Sequence, residues 1–215
     1  MVKIRVENAE KIIKGVRILD VINVNFEQGK IYGLIGRNGS GKTMLLKSIC
    51  GLTHLSSGTI YVDDQQIGKD VDIAPSLGAI IEVPGFLPNL SGYANLKYLA
   101  SLRNQIGAVQ IRQAIEKVGL DPDSRKPVGK YSLGMRQRLG IAQAIMENPD
   151  ILLLDEPMNG LDHQGVEDVK TLLKDLRKQG KTIILASHHS EDIDELCDTV
   201  YRMDKGQLSA CNTSR

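Results

Sequence analysis

The spacing of apolar residues changes twice along the chain. Ile22, Val24 and Phe26 alternate with Asn23 and Asn25, the two-residue repeat of a half-buried strand, before Glu27, Gln28, Gly29 and Lys30 turn the chain. Residues 31–35 predict a second strand and residues 59–62 another, after a Ser-Ser-Gly turn. Residues 2–67 therefore read as mostly strands, a mixed sheet around one helix that begins at Lys42 and stops at Gly51. The run 77–83 predicts a further strand, ended by Pro84 and Gly85. There the period lengthens. Ser91 is placed to cap a helix through Leu102, and Ile111, Ile115 and Val118 recur at i, i+4 and i+7 as one helical face, so 84–146 reads as a helical lobe inserted in a sheet domain. Strands and helices then alternate again. Residues 151–154 are continuously apolar, as in a parallel strand buried on both faces, and Val166, Val169, Leu173 and Leu176 stripe a helix. Residues 182–186 predict the next buried strand, and a short helix over 191–197 leads to a hairpin around Asp204, Lys205 and Gly206.

Gly36, Arg37, Asn38, Gly39, Ser40, Gly41, Lys42 and Thr43 fall between a predicted strand and a predicted helix, the setting of a phosphate-binding P-loop. Glycines let backbone N–H groups close around phosphate oxygens, Lys42 adds a mobile positive charge, and the Thr43 hydroxyl can ligate magnesium at the helix N-terminus. About a hundred residues on, the run 151–154 ends in Asp155 and Glu156, the acidic strand that such a loop requires. Asp155 is expected to hold magnesium through water, and Glu156 to polarise the attacking water as general base. A surface acidic pair is the plainer reading, but the apolar run buries this pair beside the loop, where uncompensated charge is costly. Ser132 and Gly134 precede a basic helical segment and offer a second anion site at a helix start; a glycine-containing turn capping a core helix is the plainer reading, and the one to prefer were there no P-loop.

Composition narrows the partners. With 27 Lys+Arg against 26 Asp+Glu, the net charge of +1 gives no general attraction for nucleic acid or an anionic membrane. Three scattered cysteines, in no C-x-x-C pattern, indicate neither a disulfide framework nor a zinc site and fit a reducing cytosol. The N-terminus is charged, without a signal-peptide core, and no run approaches the roughly 20 apolar residues of a membrane span, so a membrane is expected to be reached only through a partner. His54 and His163 read as surface residues, His189 as facing away from its neighbour His188, Phe86, Tyr93 and Tyr98 as core of the helical lobe, and Arg136 and Arg138 as exposed helix residues or dimer contacts.

Taken in order, these motifs resemble the ATP-binding subunits of ABC transporters over essentially all 215 residues. The family's Walker A loop matches 36–43, its Walker B strand with the catalytic glutamate 152–156, and its signature motif 131–135; the D-loop is similar to 159–162 and the switch histidine to His188. The resemblance implies an α/β P-loop NTPase fold with a mixed, largely parallel sheet core in 1–83 and 147–215, an antiparallel β subdomain and the inserted helical lobe. It implies ATP and Mg2+ as cofactors, hydrolysis coupled to transport, and a cytoplasmic chain peripheral to the inner face of the cell membrane beneath permease subunits on separate chains. It also implies a head-to-tail partner, a second copy of this chain being expected over a related cassette. Ser132 and Gly134 of one subunit then cover the γ-phosphate held by the other, and His188 senses it.

Three positions depart from the common family pattern. Leu133 and Met135 replace the usual Gly and Gln of the signature, Ile13 stands where an aromatic residue usually stacks on adenine, and Glu82 replaces the Q-loop glutamine. As a Q-loop residue Glu82 is expected to reach magnesium and the attacking water, while adding negative charge near the γ-phosphate. Residues 81–90 and 132–138 look most like the subgroup that exports peptide antibiotics, bacitracin-resistance and lantibiotic-immunity pumps included. A soluble ABC-type scaffold is the rival from another class, yet neither the long coiled coil of repair members nor the double cassette of translation factors is present. An iron–sulfur assembly partner stays open on these grounds. A P-loop GTPase lacks support, since no Asn-Lys-x-Asp motif occurs.

Overall fold

The alternation at 22–26 belongs to one arm of a long hairpin. In the computed structural model, which describes residues 1–188, 193 and 195–211, β1 (Val2–Ile13) pairs antiparallel with β2 (Val16–Glu27). The other edge of β1 takes β4 (Ser57–Val62), which pairs with the short β5 (Gln65–Gln66), giving the order β2-β1-β4-β5. Alternation pays its role here in burial: Ile22, Val24 and Phe26 turn inward while Asn23 and Asn25 face water.

A second, six-stranded sheet has the order β10-β9-β3-β8-β7-β6. Its centre is parallel: β3 (Ile31–Ile35), β7 (Ile151–Asp155) and β8 (Thr182–Ser187), with β6 (Leu77–Ile80) at one edge and β9 (Thr199–Asp204) and the antiparallel β10 (Gln207–Ala210) at the other. Every residue of β3, β7 and β8 is buried, which is why these strands read as continuous apolar runs. Between the two sheets lies α1 (Lys42–Cys50), burying Leu45, Leu46 and Ile49. Gly51 ends it with a φ of 88°, donating back to Lys47 and Ser48.

Three α-helices occupy the chain between β6 and β7: α2 (Gly92–Arg103), capped by Ser91, α3 (Ala108–Lys117) and α4 (Leu133–Ile145). With α5 (His163–Lys178) they share a second core on the opposite face of the six-stranded sheet. The α4 helix lies close against β6 because Gly78 has no side chain; a Cβ there would collide with the Ala144 carbonyl oxygen.

Some expectations are corrected. The strand expected over 77–83 stops at Ile80, since Glu82 has a φ of 61°, outside any strand conformation. Tyr98 is exposed rather than part of the core, whereas Phe86 and Tyr93 pack against it. Arg138 is no free surface residue: it donates to the Val118 carbonyl at 2.7 Å and to Asp168 at 2.8 Å, tying α4 to α3 and α5. His189 and residues 191, 192 and 194 of the helix expected over 191–197 lie outside the described residues.

Candidate nucleotide site

Residues 36–41 carry the chain from the end of β3 into α1. Gly41 is the N-cap of α1 with a φ of 114°, and no side chain caps the helix. The first N–H groups of α1 are thus left for an external acceptor, the arrangement that favours an anion. Buried Lys42 folds back and donates to the carbonyls of Gly36 at 2.6 Å and Arg37 at 3.3 Å. Ser40 Oγ is buried without a protein partner.

Asp155 ends β7 across from the loop. It accepts from Thr43 Oγ1 at 2.7 Å and from the Glu82 backbone N–H. Burial nevertheless pushes its carboxyl above its ordinary value, the Thr43 bond opposing and the neighbouring Glu156 charge adding to the shift. The donor set of one hydroxyl and one carboxylate suits magnesium, which keeps water and phosphate oxygens as its remaining ligands. Among the described residues no group of three His, Cys, Asp or Glu side chains could hold a metal by itself.

Glu156 has a φ of 50°. Its N–H donates to the Ala186 carbonyl at 2.8 Å and its own carbonyl accepts from Gln137 Nε2 at 3.0 Å, so the backbone is held from both β8 and α4. Its carboxylate accepts from Ser187 Oγ at 3.2 Å and faces His188 Nδ1 at 2.9 Å. The parallel register of β7 on β8 sets this meeting, because Asp155 pairs with Ala186.

One cavity of about 420 Å³ is lined by residues 38–44 together with Ile18, Lys47, Glu82, Asp155 and Glu156. A neighbouring cavity of about 430 Å³ takes in Gly36, Arg37, Asn38 and His188. The expected loop residues and acids are therefore brought together. Ser132 and Gly134 line neither cavity: Ser132 Oγ caps α4 by accepting from the Met135 N–H at 3.1 Å, and Gly134 packs near the Gly160 carbonyl. Ile13 pairs with Val16 near the tip of the β1–β2 hairpin and lines neither cavity, whereas Ile18 and Met44 are apolar residues in the lining of the first. Glu82 lies at the cavity, but its carboxylate is drawn to Lys47 Nζ at 2.6 Å. Sequence reasoning passed over Ile18, Lys47, Gln137 and Ser187. For Gln137 the only signal is an amide between two arginines on a helix otherwise bearing an apolar face.

The loop, the acidic strand end and the parallel sheet define a P-loop nucleoside triphosphatase. Residues 19–159 match the family described as ABC transporter. The chain is 47% identical over 205 residues to the uncharacterized ABC transporter ATP-binding protein YybJ of Bacillus subtilis (strain 168), covering 95% of this chain and 94% of that protein. It is 41% identical over 207 residues to the bacitracin transport ATP-binding protein BcrA of Enterococcus faecalis, covering 95% of this chain and 67% of that one. Its fold is similar to the dimeric structure of the bacterial ABC transporter cassette MJ0796, with a TM-score of 0.86 at 22% identity over 96% of this chain and 98% of the other. The chain belongs to the ABC transporter family and is one of its ATP-binding ATPases. The resemblance to the bacitracin subgroup is borne out. No helix among the described residues is long and apolar enough to cross a membrane.

Proposed function

We propose that this chain is the ATP-hydrolysing subunit of an exporter for a peptide antibiotic, working on the inner face of the cell membrane beneath membrane subunits on separate chains. The observation that carries the hydrolytic part is the convergence of two pairs on one phosphate loop, Thr43 with Asp155 at 2.7 Å and Glu156 with His188 at 2.9 Å. The α1 N–H groups and Lys42, released from the loop carbonyls, bind the polyphosphate. Thr43, Asp155 and, from beyond β6, Glu82 hold magnesium. The bound ion supplies charge neutralisation for the β- and γ-phosphates. Glu156 takes the proton from the attacking water, and His188, oriented by Glu156, contacts the γ-phosphate. Ser132 and Gly134 act on the nucleotide of a second copy packed head to tail, which accounts for their position away from both cavities. The name of the Enterococcus relative supports a peptide antibiotic as cargo.

The transport half is tested in membranes. The tagged chain, isolated from its native host with ATP bound, should bring down a polytopic membrane protein, and deleting its gene should raise sensitivity to bacitracin. An active ATPase with no membrane partner and unchanged sensitivity would overturn the transport reading and leave the ATPase intact.

A further inference from the structure

Lys47 is the one charged residue of the 420 Å³ cavity that the roles above leave unused. It lies in α1 a turn beyond Thr43, with its side chain only 28% exposed, and its ammonium holds Glu82 Oε1 at 2.6 Å. Glu82 is engaged at both ends. Its backbone adopts a φ of 61°, sparsely populated by residues that carry a side chain, and directs its N–H to the Asp155 carboxylate. Its carboxylate is turned the other way, onto α1.

We propose that Lys47 is a positioning residue for hydrolysis: it holds the Glu82 carboxylate in reserve, so that Lys47 and the divalent cation compete for one acid. The proposal rests on the reading of Glu82 as a metal ligand. A pair this open to water is weak, so a divalent ion displaces the ammonium readily, but the affinity for that ion is lowered by whatever the pair is worth. Metal affinity is then set in part by a side chain that never touches the metal. The released ammonium remains in the wall of a cavity that takes a polyphosphate, so the exchange leaves no buried charge uncompensated.

The test measures Mn2+ binding, by electron paramagnetic resonance, to the 1:1 complex of each protein with a non-hydrolysable ATP analogue. Lys47→Met keeps the aliphatic stem and should bind Mn2+ about two- to fivefold more tightly than wild type, the range expected from an exposed ion pair. Lys47→Arg, which restores the pair, should return to the wild-type value. Glu82→Ala should bind Mn2+ more weakly, and adding Lys47→Met to it should change nothing further. If Glu82→Ala weakens binding while Lys47→Met leaves it unchanged or weaker, the competition is wrong and Glu82 remains a ligand. If Glu82→Ala binds Mn2+ like the wild type, the ligand reading falls and the competition with it. Tightening by Lys47→Met that persists in the Glu82→Ala background would show Lys47 acting by general charge, which also overturns the proposal.

Discussion

His188 Nδ1 lies 2.9 Å from Glu156 Oε1, and the two residues come from the ends of adjacent parallel strands. The glutamate is held in the left-handed region at a φ of 50° by backbone bonds to Ala186 and Gln137. Its carboxylate is thereby fixed at the rim of the loop rather than splayed into solvent. Glu156→Gln keeps the shape and most of the bonds but removes the base. Steady-state phosphate release should fall by about 10²–10⁴-fold, while titration with a fluorescent ATP analogue gives an affinity close to wild type. Hydrolysis persisting at a tenth of the wild-type rate would assign the base elsewhere.

Asp155 predicts a pH effect on the nucleotide-free protein. Burial raises its carboxyl above 3.8, so the native state binds this proton more tightly than the unfolded chain does. The contribution of Asp155 to stability is most favourable below the unfolded value and declines as pH rises through the folded one. Asp155→Asn removes that decline. Its melting temperature should exceed that of the wild type by about 1–3 °C at pH 7, with the gap closing as pH is lowered toward 4, while magnesium-dependent hydrolysis is lost. A gap independent of pH would argue against desolvation as the cause.

Ile18 and Met44 are the apolar side chains lining the nucleotide cavity, and Ile13 is not in that lining. Ile13→Tyr should therefore leave the affinity for ATP within twofold of wild type, because position 13 does not reach the cavity. Ile18→Ala should weaken it by about fivefold, the order expected for loss of roughly 40 Å² of apolar contact. No aromatic residue lines the cavity, so competition by GTP should approach that by ATP. A marked tightening by Ile13→Tyr would restore that residue to the base.

Gly78→Ala should cost about 1–3 kcal/mol by denaturant titration, since the added methyl meets the Ala144 carbonyl and α4 must shift from β6. Unchanged stability would mean that α4 adjusts without resistance.

The sequence made the loop and the acids legible for different reasons. The eight residues of the loop are contiguous, and each answers a local need of a polyphosphate. Asp155 and Glu156 stand out because four apolar residues before them betray a strand buried on both faces. What the sequence hid was set by tertiary demands. The apolar pattern continues through Ile81 and Val83 and so predicts a strand to residue 83, yet the chain leaves the sheet after Ile80 and Glu82 points its N–H at Asp155. Gln137 reaches the Glu156 carbonyl from a helix nineteen positions earlier in the chain, a bond that no spacing announces. Ser132 shows the opposite case: its hydroxyl, read as an anion donor, caps its own helix in the isolated chain.

The uncapped start of α1 ties the durability of this chain to the energy supply of its host. A helix whose first turn has no side-chain acceptor leaves part of its folding free energy to be contributed by whatever occupies Gly41 and its neighbours. Nucleotide at a hundred times its dissociation constant adds about 2.7 kcal/mol to the native state. Starvation that emptied the loop of both ATP and ADP would therefore do more than idle the machine, because the vacant subunit would unfold more often than its occupied counterpart.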